Sequence, residues 1–78
     1  MKNYKMLELR QALGQTQEEV AKAVGITQSS YAMIEGGHRH PRKFAQKRLA
    51  DYFGVTVDEL FFDDHYHVKR LSAADSVN

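Results

Sequence analysis

Helix-capping signals divide roughly the first sixty residues of this chain into short segments, and they restrict it to an all-α fold. Thr16 is followed three residues later by Glu19, and Thr56 by Glu59, which is the capping-box pattern of a helix start. Gly14, Gly25 and Gly54 follow runs of helix-forming residues, where a left-handed residue commonly ends a helix. The pattern predicts five helices and needs no strand.

Periodicity between these signals gives the helix bounds and their inward faces. The predicted helices run from about Tyr4 to Leu13 behind the cap Asn3, from Gln17 to Gly25, from Gln28 to Glu35 behind the cap Thr27, from Pro41 to Phe53, and from Thr56 through Leu60 and Phe61. Pro41 is expected as the first residue of its helix, a position that proline favours. The residues expected to face the core are Met6, Leu9, Leu13, Val20, Ala21, Val24, Phe44, Ala45, Leu49, Ala50 and Phe53.

Length and composition predict one small domain with a short extension. The chain has 78 residues, no cysteine and a formal net charge of +1. Without cysteine, neither a disulfide nor a thiolate zinc site can stabilise the fold, so compact helix packing and association with a second copy are expected to do so. Apolar runs are too short for a membrane span or a signal peptide, which predicts a soluble cytoplasmic protein. Residues 1–62 are expected to form the domain, and 63–78 a loop or short extended segment followed by a frayed tail.

Charge is unevenly distributed along the second half of the chain. Residues 37–48 contain five Lys or Arg and no acid, whereas residues 49–64 contain five acids and no Lys or Arg. A basic segment beside the Gly36-Gly37 turn suits phosphate binding. Ordinary surface charge is the alternative interpretation.

The predicted helix 28–35 has an unusual outer face. Tyr31, Ile34 and the small Ser30 are expected on the inner side, and the outer side carries no charged residue. The outer residues are Gln28, Ser29, Ala32 and Met33. A small, amide-bearing face suits the edges of DNA bases better than open water, which favours sequence-specific binding of double-stranded DNA.

Two helices joined by Gly25-Ile26-Thr27 have the spacing of a helix-turn-helix, and further motifs extend the match. They are Leu9-Arg10, the run from Gln15 to Ala21, the run from Val24 to Gln28, Glu35-Gly36-Gly37, Pro41, and the run from Leu49 to Val55. Together they resemble the phage-repressor and Cro type of helix-turn-helix regulators, the lambda-repressor-like or xenobiotic-response-element family, over residues 4–62. The resemblance implies a compact five-helix DNA-binding domain that usually acts as a dimer on two-fold symmetric operator DNA.

The resemblance also implies roles for individual residues. Gln17 and Thr27 match positions that reach DNA phosphate, while Gln28, Ser29 and Met33 match base-facing positions. Arg10 and Glu35 match a pair that forms a salt bridge between the first and third helices. Two positions depart from the family pattern: Tyr31 replaces the usual Ile or Val, and Ala32 replaces Ser. Tyr31 is expected either to fill the core or to turn toward the DNA backbone.

Side-chain chemistry is consistent with these roles. A glutamine amide such as that of Gln28 can pair with adenine, and Ala32 and Met33 can pack on a thymine methyl group. Phosphate contacts that set register are expected from four residues after the glycine turn, namely Arg39, His40, Arg42 and Lys43.

The function expected is that of a homodimeric transcriptional regulator with no cofactor, and repression is the role favoured for it. Phe61, Phe62 and Tyr66 are expected at the dimer interface, because they are too apolar to be exposed together; closure of the monomer core is the alternative. His38 with His40, and His65 with His67, have spacings that can bind a metal, but no cysteine or third ligand accompanies them, so no metal site is expected. No catalytic motif is recognisable. An antitoxin-like adaptor that binds a partner protein, with autoregulatory DNA binding, is the main alternative, and a restriction-modification controller is a further variant.

Overall fold

The computed structural model describes residues 1–62, which form five helices. They are α1 (Tyr4–Ala12), α2 (Gln17–Val24), α3 (Gln28–Glu35), α4 (Lys43–Phe53) and a fifth, π-type helix (Asp58–Phe62). Residues 1–62 contain no strand, so the all-α prediction is confirmed. The expectations for the extension 63–78, including an interface role for Tyr66, lie outside the described residues.

The predicted caps set the ends of these helices. At the start of α2, Thr16 Oγ1 accepts from the Glu19 amide at 3.1 Å, and Glu19 Oε1 accepts from the Thr16 amide at 2.8 Å. Thr56 and Glu59 form the same reciprocal pair, at 3.0 and 2.9 Å, before the fifth helix. Both capping boxes are therefore confirmed, and local sequence alone positions these helix starts.

The core lies between α2 and the helices around it. α2 packs on both α3 and α4, and α1 packs on α3. All five helices contribute buried apolar side chains, which are Met6, Val20, Ala21, Val24, Tyr31, Ile34, Leu49, Ala50, Phe53 and Leu60. Within residues 1–62, no helix has the length and apolar character needed to cross a membrane.

The start of α4 differs from the prediction. Pro41 is not its first residue: α4 begins at Lys43, and Arg42 is the N-cap. Pro41 is buried, and its carbonyl accepts a hydrogen bond from the Gln46 side-chain amide at 2.9 Å. Arg42 has extended backbone angles, φ −71° and ψ 162°, so the proline before it belongs to the loop and not to the helix.

Two apolar residues expected in the core are exposed instead. Phe44 is 67% exposed, with the Arg48 guanidinium 5.2 Å from its ring centroid. The interval from Phe44 to Phe53 is about two and a half helical turns, so the two rings lie on opposite sides of α4. Leu13, also predicted inward, is 54% exposed because it lies just past the end of α1, as its C-cap.

The N-terminus is fastened to two distant elements through Asn3. The Asn3 amide donates to the Glu35 carbonyl at 2.8 Å, and its side-chain amide donates to the Leu60 carbonyl at 3.0 Å. Its side-chain oxygen caps α1 by accepting from the Met6 amide at 3.0 Å. One residue therefore joins the start of α1, the end of α3 and the fifth helix.

Gly37 allows this close approach of the N-terminus. Its φ is +81°, and a Cβ on Gly37 would overlap the backbone of Met1. Gly14 provides a contrast, since its φ of +66° is similar but a Cβ there would meet no atom of the described residues within 4 Å.

Gly37→Ala is expected to destabilise the protein more than Gly14→Ala. Both substitutions impose a left-handed strain of about 1–2 kcal/mol, but only Gly37→Ala also displaces the N-terminal residues that lead into Asn3. Urea denaturation of the two variants measures the difference. Equal losses of unfolding free energy would contradict the packing of Met1 on Gly37.

Candidate nucleic-acid interface

A three-residue turn, 25–27, joins α2 to α3 and fixes their crossing. Gly25 adopts φ 79°, and the Ile26 amide donates to the Ala21 carbonyl at 3.0 Å, as expected for a left-handed helix cap. Thr27 Oγ1 accepts from the Ser30 amide at 3.0 Å and so begins α3. Because this oxygen is an acceptor in the cap, the Thr27 hydroxyl proton remains available for a further acceptor.

α3 presents one buried and one exposed side. Tyr31 is fully buried and Ile34 is 5% exposed. Gln28 and Ser29 are exposed, Met33 is 39% exposed and Ala32 is half-buried. The four residues predicted to face DNA bases therefore lie together on the solvent side of α3.

Tyr31 fills the core and does not turn outward. Its burial raises the pKa of its hydroxyl, and the nearby charged Glu35 raises it further. That hydroxyl lies close enough to Glu35 and Arg10 to affect their ionisation, yet it forms no hydrogen bond of ordinary geometry with any described residue. The tyrosine is thus a core residue that lies beside an ion pair.

Arg10 and Glu35 form that ion pair. Arg10 Nε donates to Glu35 Oε1 at 2.9 Å and Nη2 donates to Oε2 at 3.0 Å, while Nη1 donates to the Gln15 carbonyl at 2.8 Å. The Glu35 side chain is 5% exposed and that of Arg10 is 15% exposed. This two-point contact joins α1 to the last residue of α3, and the third bond ties both to the segment before α2.

Ionisation of Glu35 is maintained by its partners. Burial raises the pKa of Glu35, but hydrogen bonding to Arg10 and the proximity of Tyr31 and Gln17 outweigh burial, so its pKa lies below its usual value. The same contact raises the pKa of Arg10. Gln17 is the half-buried first residue of α2, and it therefore helps to lower the pKa of the Glu35 carboxylate at the end of α3.

Exposed cations follow α3 along the chain. Arg39, Arg42 and Lys43 are all exposed in the loop before α4 and at its first residue. Arg42 and Lys43 lie at the α4 N-terminus, where helix amides and the helix dipole also favour an anion. Lys47, further along α4, is instead paired with Asp51 at 3.2 Å.

His40 has a different environment from the other residues predicted to touch phosphate. Its Nε2 lies 3.0 Å from the side-chain nitrogen of the buried Gln46 and accepts a hydrogen bond from it when the ring proton is on Nδ1. Its ring also contacts Phe61 and Phe62 edge-on, with centroids 6.0 and 5.5 Å away. His40 is thus exposed to solvent but lies against Gln46 of α4 and the aromatic rings of the fifth helix.

One contact of this surface was not predicted from the sequence. Arg39 Nη1 donates to Ser30 Oγ at 3.0 Å, so Ser30 points toward the edge of the outer face and not into the core. Ser30 and Arg39 are separated along the chain by the rest of α3 and the glycine turn. No local pattern in the sequence indicates their contact.

This arrangement defines a helix-turn-helix protein. The helix-turn-helix family model matches residues 6–60, which is more than half of the chain, and the chain therefore belongs to this family. The protein is a DNA-binding helix-turn-helix transcriptional regulator.

Individual relatives are similar over most of this chain. It is 38% identical over 63 residues to YqaF of Bacillus subtilis, an uncharacterised HTH-type transcriptional regulator, covering 81% of this chain and 82% of that one. It is 31% identical over 64 residues to the cryptic phage CTXphi transcriptional repressor RstR of Vibrio cholerae, covering 82% and 58%. It is 39% identical over 56 residues to the HTH-type transcriptional regulator AnsR of Bacillus subtilis, covering 72% and 48%. No solved structure gives a significant match.

Removal of Arg10 alone is expected to destabilise the protein more than removal of the whole pair. Arg10→Met leaves Glu35 buried and unpaired, and the expected loss is near the lower end of about 3–5 kcal/mol, because Arg10 keeps some solvent exposure. Arg10→Met combined with Glu35→Leu removes both charges and should lose less. Urea denaturation of the single and double variants measures the coupling, and a double loss equal to the sum of the single losses would contradict it. The exposed Lys47–Asp51 pair is the control, with an expected coupling below about 1 kcal/mol.

Stability is expected to fall in acid because of Glu35. Its folded pKa is lower than its unfolded pKa, so the stabilisation is fully present above the ordinary carboxyl range near 4.5 and is lost as pH falls through the lower folded pKa. Glu35→Gln should flatten this part of the pH profile. The midpoint of urea denaturation, measured for the wild type and the Glu35→Gln variant at several acidic pH values, provides the comparison. A Glu35→Gln profile with the wild-type slope would show that other groups cause the acid sensitivity.

Proposed function

We propose that this protein is a sequence-specific transcriptional repressor that binds a two-fold symmetric operator as a homodimer and inserts α3 into the major groove. The outer face of α3 carries the proposal: its uncharged side chains are presented to solvent, while Tyr31 and Ile34 anchor its other side in the core. The major groove admits an α-helix and displays a distinct donor and acceptor pattern for each base pair.

We assign base recognition to the residues on the outer face of α3. Gln28 is the first residue of α3 and is exposed, so its amide can pair with the N6 and N7 groups of adenine. Ala32 and Met33, one turn further along, offer apolar contacts to thymine methyl groups. Ser29 can donate or accept a hydrogen bond, so it adds affinity with little discrimination.

Phosphate contacts flank this face and fix its register. Gln17 and Thr27 lie at the starts of α2 and α3, where the backbone amides of a helix can donate to a DNA phosphate. Arg42 and Lys43 form a second contact region at the start of α4. Such contacts set the position of the protein on the duplex, whereas the bases determine which site it chooses.

Dimerisation supplies the second recognition helix. A single module of this size covers little DNA, and two α3 helices about 34 Å apart would read two half-sites one helical turn apart. Phe62 is 54% exposed next to the partly buried Phe61, which places apolar surface at the fifth helix. Tyr66 in the extension is proposed to complete this interface. The role of repressor is supported by the similarity to a phage repressor, and such a regulator would act in the cytoplasm.

Gln28→Ala is expected to weaken binding to the preferred site by about 1–3 kcal/mol and to relax one base position. Arg42→Ala should instead weaken all sequences alike and reduce the slope of log affinity against log salt by about one unit. Competition binding at several salt concentrations distinguishes the two effects. If Gln28→Ala retained the wild-type sequence preference, the proposed role of α3 in base recognition would be wrong.

Phe62→Glu is expected to convert the dimer to a monomer, because it places a charge in the proposed apolar interface. Leu13→Glu is the matched control, since Leu13 is also 54% exposed but lies beyond the end of α1. Sedimentation equilibrium at micromolar concentration measures the mass of each variant. A wild type of single-chain mass, or an unchanged dimer in Phe62→Glu, would contradict this interface.

A further inference from the structure

The side chain of Arg39 runs back along α3. The Arg39 amide donates to the carbonyl of Met33, in the last turn of α3, at 3.2 Å, while its Nη1 donates to Ser30 Oγ at 3.0 Å. Ser30 lies about one helical turn before Met33. The guanidinium is therefore held beside α3, whereas Arg42 and Lys43 lie at the start of α4.

Helix geometry places this guanidinium at the edge of the base-facing surface. Tyr31, Ile34 and Glu35 define the buried side of α3. At about 100° per residue, Ser30 lies roughly a quarter turn from the centre of that side and next to Met33. The Ser30–Arg39 contact thus borders the outer face of α3 along the Met33 side.

The chemistry of the contact orients the charge without neutralising it. Ser30 offers a hydroxyl, which occupies one of the five N–H donors of Arg39 and leaves the positive charge available. Lys47 shows the contrasting case, because its partner Asp51 is a carboxylate 3.2 Å away. Fixing the side chain in advance also lowers the entropy lost when it meets a ligand. A long-range charge contact to phosphate needs no such orientation, whereas two-point recognition of a base does.

We propose that Ser30 is a positioning residue that holds Arg39 ready to read a guanine at the edge of the recognition surface. The free donors of the guanidinium would pair with guanine O6 and N7, which is the commonest specific contact in the major groove. This inference rests on the proposed function, in which α3 enters the major groove. It assigns Arg39 to base recognition and not to the phosphate contact expected from the sequence.

Four variants test the proposal through the DNA sites that they select from a random library. Arg39→Gln should lose the preference for one G·C pair in each half-site, by roughly 5- to 150-fold, because it removes the cationic donors. Arg39→Lys should lose less of it, because an ammonium can still contact guanine O6 and N7 but lacks the planar fork of the guanidinium. Arg39→Lys should keep the wild-type salt slope, because it keeps the charge. Ser30→Ala should weaken the same preference, and Ser30→Thr, which retains the hydroxyl, should restore it. Thermal melting of each variant checks that it is folded.

The outcomes separate this inference from the proposed function. If Arg39→Gln weakened all sequences alike, or if Ser30→Ala left the guanine preference intact, the inference would be overturned. Gln28→Ala is the matched control and should relax a different base pair while the guanine preference persists. A wild type that selects no sequence at all would overturn the proposed function, and this inference with it.

Discussion

The ion pair between Arg10 and Glu35 fixes the C-terminal end of α3, the proposed recognition helix. Glu35 is the last residue of α3, and the guanidinium that binds it also binds the Gln15 carbonyl, so one side chain joins α1, the approach to α2 and the end of α3. Asn3 reinforces the same point through its bond to the Glu35 carbonyl. The C-terminal end of α3 is therefore fixed to the scaffold, while its first residues lie free on the surface.

A buried ion pair adds little net stability, because desolvation offsets most of its attraction. Its value here is geometric. We infer that the two-point contact between the guanidinium and the carboxylate restricts the orientation of α3 more tightly than an apolar pair would. Tyr31, fully buried on the inner side of α3, supports that orientation. The outer face of α3 can then remain small and uncharged, since none of its side chains is needed to hold the helix in place.

Local signals in the sequence predicted the helix starts, and non-local contacts explain what was missed. Thr16, Thr27 and Thr56 cap helices through atoms three residues away, so sequence alone identifies them. Pro41 was wrongly predicted as the first residue of α4: the extended backbone of Arg42 separates it from the helix, and its carbonyl accepts from the Gln46 side chain. The prediction that Phe44 faces the core was wrong, although the sequence carries the opposite signal. Helical periodicity in α4 places the Phe44 ring opposite Phe53 and puts the polar Gln46 on the buried side. The Ser30–Arg39 contact and the packing of His40 on Phe61 and Phe62 depend on tertiary geometry that no local pattern carries.

Chemical protection of bound DNA tests most directly whether α3 reads bases in the major groove. Dimethyl sulfate methylates guanine N7 in the major groove and adenine N3 in the minor groove, so one reagent reports on both grooves of the site that the protein selects. The account predicts protection of guanine N7 in two symmetric clusters about one helical turn apart, with adenine N3 remaining reactive between them. Protection confined to adenine N3, or the absence of any protected guanine N7 within a bound site, would contradict it.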